Sequence, residues 1–230
     1  MLVNYLIKYT ELQKISNMPS RIVRVGHKIL ALPICYDLFQ TAVGSVKFRS
    51  SFVSENVSKF KMKSVLDLGC GTASTASLFP KYVNYIGVDT SSKYLEKART
   101  RVADRDSKLI LADIAENEWT SSAGKLNETL GLALGIYHHL DDQKLSETIY
   151  NLSSVLNTGS KVVSLDPIID SKSTNLAKWF AKNDRGPYIR EPERYEKIFN
   201  NNGFSITFEI TRNSFRIPYD LLLITATKEK

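Results

Sequence analysis

The stretch SVLDLGCGTAS (64–74) carries an apolar run into two glycines one residue apart, Gly69 and Gly71. Glycine at both places lets a backbone take positive φ and approach a ligand with no Cβ in the way. Asp67 stands two residues before the first glycine, Asp89 ends a second apolar run, and Asp113 ends a third. Two ligand chemistries use such a turn. The dinucleotide fingerprint asks for G-x-G-x-x-G, and the third glycine position here is Ser74. Asp67 would also face a pyrophosphate with like charge. A nucleoside bearing an ammonium and a sulfonium would be attracted instead. Asp89 is placed to accept from both ribose hydroxyls. Asp113, followed by the apolar Ile114, suits an adenine amino group and its ring.

Two further segments have chemistry-bearing residues. YHHLDD (137–142) holds His138 and His139, and histidine is the side chain suited to taking a proton from a reacting group near neutral pH. The competing reading is structural: a hydrogen bond, or a cap for the helix that begins near Asp141. Tyr137 is a candidate for lining an acceptor pocket. In KNDRGPYIREPERY (182–195), Arg185 and Arg190 are placed to clamp a carboxylate or phosphate through bidentate hydrogen bonds. Alternatively, Asp184 and Arg185 pair with each other and brace the segment. Cys35 and Cys70 are far apart, with no CxxC or Cys/His spacing, so neither a disulfide framework nor a metal centre is expected.

The elements that must position these residues alternate. SVLDLG (64–69), NYIGVD (84–89), KLILAD (108–113), ETLGLALGIY (128–137) and SKVVSLDP (160–167) read as strands. The fourth is too continuously apolar to have a wet face, as in a sheet covered on both sides. Between them, ASTASLFPKY reads as a short helix, SSKYLEKARTRVAD as a helix behind a serine cap, and DDQKLSETIYNLSSVLN as an amphipathic helix. FSITFEI and YDLLLITATK leave no room for a crossover and should pair antiparallel. The pattern predicts an α/β fold: a doubly wound, mostly parallel seven-stranded Rossmann-like sheet with a terminal antiparallel strand pair.

With these motifs in order, the chain resembles the class I S-adenosylmethionine-dependent methyltransferases. The resemblance lies in VLDLGCGTA, YIGVDTSSKYLEKAR, LILADI and LGLALGIYHHLDD with LSSVLNTGSKVVSLDP, from about residue 63 to 168, plus the closing strand pair. The Asp-Arg-Gly…Arg element resembles a bacterial small-molecule subgroup. The resemblance implies S-adenosyl-L-methionine as cofactor, with Asp67, Gly69 and Gly71 at its methionine part. By the same resemblance Asp89 and Thr90 would hold the ribose, Asp113 and Ile114 the adenine, and Leu134 and Gly135 would form the wall near the transferred methyl. Ala73 stands where many relatives have a third glycine, and NTGS (157–160) replaces a common Pro-Gly-Gly turn. Neither departure removes a ligand group.

Composition bounds the partners. At 230 residues, 43% hydrophobic and 24% charged, the chain is expected to be one domain over 61–230, with 1–60 a helical cap packed on it. No apolar run approaches the roughly 20 residues of a membrane span, and the N-terminus lacks the layout of a signal peptide, so cytoplasmic residence is expected. A small-molecule methyl acceptor, anionic where the arginine clamp operates, is the first reading. The net charge of +7 makes RNA or tRNA the second. Against it, the Lys and Arg residues are scattered, and LGIYHH lacks the Asn/Asp-Pro-Pro-Tyr/Phe tetrad that base-amine enzymes carry there. A third reading, from another class, is a scaffold that binds the cofactor without transferring its methyl.

Overall fold

The computed structural model describes Ser51 and residues 60–183, 186–214 and 218–229. The expected N-terminal cap (1–60) falls almost wholly outside these residues, and so does Arg185. Seven strands form one sheet: β1 (Ser64–Leu68), β2 (Asn84–Asp89), β3 (Ser107–Leu111), β4 (Thr129–Leu134), β5 (Lys161–Pro167), β6 (Phe204–Thr211) and β7 (Leu221–Lys228). Their order is β3-β2-β1-β4-β5-β7-β6. β1 to β5 run parallel, while β7 lies antiparallel between β5 and β6. The predicted mixed sheet is what the chain forms.

Period-two alternation sends successive strand side chains to opposite faces of the sheet. Leu66, Leu68, Ile86, Val88 and Ile110 join one cluster, Val65, Leu130, Leu132, Leu134, Val163 and Leu165 a second, and Tyr85 a third with Leu95 and Ala98. Every residue of β4 is buried, in keeping with its unbroken apolar run. The first cluster is closed by two helices, α3 (Asp142–Val155), through Leu145, Ile149 and Leu152, and α5 (Pro192–Asn201), through Tyr195, Ile198 and Phe199. The other described helices are α1 (Ser92–Arg101), α2 (Glu118–Ala123) and α4 (Asn175–Lys182). Side-chain caps start three of them: Ser91, Asp141 and Thr174 each accept a backbone N–H three residues on. Pro192 starts α5, where its missing N–H costs nothing.

The segment after the glycine turn, read as a short helix, is a five-residue 3₁₀ helix, Ser74–Leu78, and the fourth strand, read to Tyr137, ends at Leu134. β3 stops at Leu111, so Asp113 sits in the following loop, where its Oδ1 accepts the Ala115 N–H at 3.0 Å. Glu128, read as the start of the fourth strand, has φ 48° and precedes it. Strand order reverses between β1 and β4, so the carboxyl ends of these two strands flank the crevice where open α/β sheets bind ligands.

Candidate active site

The glycine turn leaves β1 at that crevice. Three of its residues have left-handed backbones: Gly69 (φ 66°), Gly71 (φ 55°) and Ala73 (φ 54°). The turn is pinned from outside by Asp89 at the end of β2. Its Oδ2 accepts the Gly71 N–H and its Oδ1 the Ser91 N–H, both at 2.8 Å. Burial pushes the Asp89 carboxyl above the usual carboxylate range, and backbone N–H groups, including those of Ser91 and Gly71, pull it back. Thr90, next along the chain, is exposed at the mouth. A Cβ added to Gly71 would meet nothing within 4 Å, so this face of the turn opens on a cradle.

Asp67 lies beneath the turn and is almost fully buried. Its Oδ2 accepts Thr75 Oγ1–H and Tyr85 O–H, each at 2.5 Å. Sequence reading singled out neither partner. A signal was available in the buried tyrosine of β2, whose hydroxyl needs an acceptor. From α1, Arg101 reaches across to the backbone carbonyl of Thr72 at 3.0 Å and to its hydroxyl. Cys70 sits between the two carboxylates. Burial first, then the charges of Asp67 and Asp89, hold its thiol far above the ordinary range. Two carboxylates thus act on the turn at Cys70, while the Arg101 guanidinium meets it at Thr72.

On the far side of the crevice, Asp113 is half-buried and its Oδ2 is paired with Lys144 Nζ at 3.2 Å. Ile114 is buried in the main cluster. Asn151 of α3 grips the loop behind it, donating to the carbonyls of Ala115 and Glu116 at 2.9 Å, while Trp119 Nε1–H donates to Ile114 O at 3.1 Å. Leu134 and Gly135 end β4. Gly135 has φ 74° and its N–H donates to Leu165 O at 2.7 Å.

The next turn, Tyr137–His139, holds the two histidines. His138 is buried, and Oδ1 of Asp166 at the end of β5 accepts its backbone N–H (3.1 Å) and lies 2.8 Å from its ring Nδ1. A Cβ on Gly135 would lie 3.9 Å from His138 Cε1, and one on Gly186 only 1.9 Å from His138 Cδ2. The imidazole is thus bounded on three edges. His139 is half-buried, its ring centroid 4.2 Å from that of His138.

Two acceptor-side expectations need correction. Tyr137 does not line a pocket: it has no exposed surface, and its ring packs between Tyr195 and Phe199 in the core. Arg190 is not an outward clamp either. It is 7% exposed, and its guanidinium donates to Asp142 Oδ1 (2.6 Å), to the carbonyls of Tyr137 (3.1 Å) and Tyr188 (3.0 Å), and to Leu140 O. These bonds, with Tyr188 N–H to His138 O at 3.0 Å, fasten residues 186–190 onto the β4–α3 turn.

A doubly wound sheet of this order, with a glycine turn at its switch point, is the open α/β architecture that binds ligands beyond the carboxyl ends of its strands. Residues 65–159 match the family described as a methyltransferase domain. An uncharacterized methyltransferase of Geobacillus sp. (strain WCH70) is 24% identical over 162 residues, 66% of this chain and 73% of that one. Among solved structures, a SAM-dependent methyltransferase from Archaeoglobus fulgidus shares the fold at TM-score 0.66 and 18% identity, over 84% of this chain and 99% of that one. The magnesium protoporphyrin IX methyltransferase of Synechocystis PCC 6803 does so at TM-score 0.59 and 20% identity, over 81% and 84%. Over residues 65–159 the chain is similar to the methyltransferase domain family, and its seven-stranded sheet is that of the Rossmann-like methyltransferase structures.

Proposed function

We propose that the protein transfers a methyl group from S-adenosylmethionine to a small-molecule acceptor. The observation that carries this is the cradle itself: Gly71 open on one side, its N–H fixed by the half-buried Asp89, and the carboxylates of Asp89 and the buried Asp67 acting together on Cys70. Carboxylates so placed favour a cationic ligand and oppose a pyrophosphate. The Synechocystis relative was solved with SAH and with SAM bound, and its name gives a tetrapyrrole as its acceptor.

When bound, S-adenosylmethionine supplies a methyl on a sulfonium, which leaves as S-adenosylhomocysteine once the C–S bond breaks and the acceptor–methyl bond forms. Most of the protein's work is then positioning. Asp89 and Thr90 take the ribose edge, while Gly69 and Gly71 let the backbone close on the methionine part. Asp67 acts through its charge from beneath, since one of its oxygens serves Thr75 and Tyr85. Asp113 and Ile114 face the adenine, and Leu134 with Gly135 bounds the reacting methyl. His138, beside Gly135, is the group placed to accept a proton from an acceptor hydroxyl, and His139 stacks on it. The buried, fully engaged Arg190 gives no support to an anionic acceptor.

A melting assay tests the cofactor reading. S-adenosylmethionine should raise the melting temperature and NAD should not; stabilisation by NAD alone would reverse the assignment. Asp89→Ala should weaken S-adenosylmethionine binding by about 2 kcal/mol, some 30-fold in a calorimetric titration. Unchanged affinity would remove Asp89 from the ribose. A net charge of +7 keeps tRNA in view as acceptor. Micromolar tRNA binding that collapses as salt is raised would favour it.

A further inference from the structure

Asp166 is a residue that packing alone does not ask for. It is completely buried on the face of β5 that carries Val162 and Ser164, against the apolar cluster closed by α3 and α5. Its Oδ1 makes two hydrogen bonds with His138, while its Oδ2 has no partner among the described residues. The hydroxyls of Tyr137, Tyr195 and Ser164 are buried without partners there too. A buried carboxylate with one bare oxygen is costly. Retaining the acid in such a place calls for a task.

The task is legible in what Asp166 holds. A carboxylate can only accept, so the ring nitrogen 2.8 Å away must donate to it, which puts the neutral imidazole's proton on Nδ1 and its lone pair on Nε2. Free histidine favours the opposite tautomer in water. The backbone N–H of His138, bonded to the same oxygen, fixes the carboxylate relative to the ring's own residue. Gly186 and Gly135 bound the Cδ2 and Cε1 edges, leaving the imidazole little freedom to flip. We propose that Asp166 is a positioning residue of the acceptor side: its carboxylate holds His138 as the Nδ1–H tautomer, making Nε2 the basic nitrogen. The proposal rests on the reading that His138 takes the acceptor's proton. In that step the acceptor's bond to hydrogen breaks, an Nε2–H bond forms, and Asp166 offsets the charge of the resulting imidazolium.

Nitrogen-15 NMR of the histidine side chains tests this without an acceptor. The chain has three histidines, and His138→Gln identifies the resonances of His138. At a pH where the ring is neutral, wild type should show a protonated Nδ1 with a strongly deshielded proton. In Asp166→Ala that resonance should vanish and the Nε2–H tautomer should dominate. In Asp166→Asn, the variant to use if the alanine variant does not fold, it should move upfield or vanish. A wild-type Nε2–H tautomer, or an unchanged Nδ1–H resonance in the variants, would overturn the proposal. S-adenosylmethionine titrated into the same samples should bind each variant within about threefold of wild type. A larger loss would make Asp166 a general support of the cofactor cleft and would also overturn it. If wild type itself binds no S-adenosylmethionine, the functional reading falls, while the tautomer result still stands or fails separately.

Discussion

Gly69 and Gly71 have nearly the same left-handed backbone and opposite surroundings. A Cβ on Gly69 would stand 2.7 Å from Ile136 Cγ1, whereas one on Gly71 meets nothing within 4 Å. Ala73, at φ 54° in the same turn, shows that an alanine is tolerated there at a cost of about 1 kcal/mol of strain. Gly71→Ala should therefore lower unfolding free energy by only about 1 kcal/mol, yet weaken S-adenosylmethionine by about tenfold or more, because its methyl occupies the cradle. Gly69→Ala adds a clash to the strain and should cost about 2–4 kcal/mol. Urea unfolding and calorimetric titration of both variants check the pair. Equal stability losses with equal affinity losses would mean that the two glycines serve only the turn.

The elements around the acceptor side are joined by Arg190. Its donors satisfy three backbone carbonyls and Asp142, whose other oxygen is held by Arg194 at 2.5 Å. Arg190→Ala strips these groups of their partner in a buried place, and should cost about 3 kcal/mol in urea unfolding. Arg190→Lys keeps the charge but lacks the planar fork, so it should recover only part of that. A loss below about 0.5 kcal/mol, typical of an exposed side chain, would restore an outward-facing role. Strands β1, β2 and β4 and helix α3 were legible in the sequence because burial on known faces imposes periods of 2 and 3.6 on apolar residues. Glycines, caps and strand-end acids were legible because backbone conformation restricts residue type. Arg190 and Tyr137 were not, since an arginine or tyrosine beside a cleft has the same letter whether its tip turns outward or into the core. Asp166 has no distinguishing signal of its own, although SLDP has an acid at a strand end, as DLG and GVD do. Its importance comes from His138, 28 residues earlier, and only the β4–β5 pairing brings the two together.

For the whole molecule, acid is the condition that separates its carboxylates. Past β5, Asp170 accepts from Arg212 on both oxygens, and Arg212 also reaches Asp220 ahead of β7 at 2.9 Å, so one cation ties three segments at the same end of the sheet. The Arg212 guanidinium, chiefly by hydrogen bonding, holds the Asp170 carboxyl well below the usual carboxylate range. Arg190 does the same, less strongly, for Asp142. A carboxyl whose folded pKa is depressed binds its proton more readily in the unfolded chain. Its contribution is therefore complete above the unfolded value, about 3.9, and is lost as pH falls towards the folded one. Asp89, raised by burial, has the opposite sign: protonation as pH falls through its raised value relieves a cost of folding. Because the two arginine-held groups lie on the losing side below about pH 4, stability should fall there, after varying little between about pH 7 and 5. Asp170→Asn removes the strongest of these contributions. Its deficit against wild type in urea unfolding should be constant from about pH 7 to 5 and shrink steadily below about pH 4. A deficit unchanged down to about pH 2.5 would show that Asp170 acts through shape and neutral hydrogen bonds, and that its ion pair with Arg212 contributes nothing to holding the carboxyl end of the sheet together.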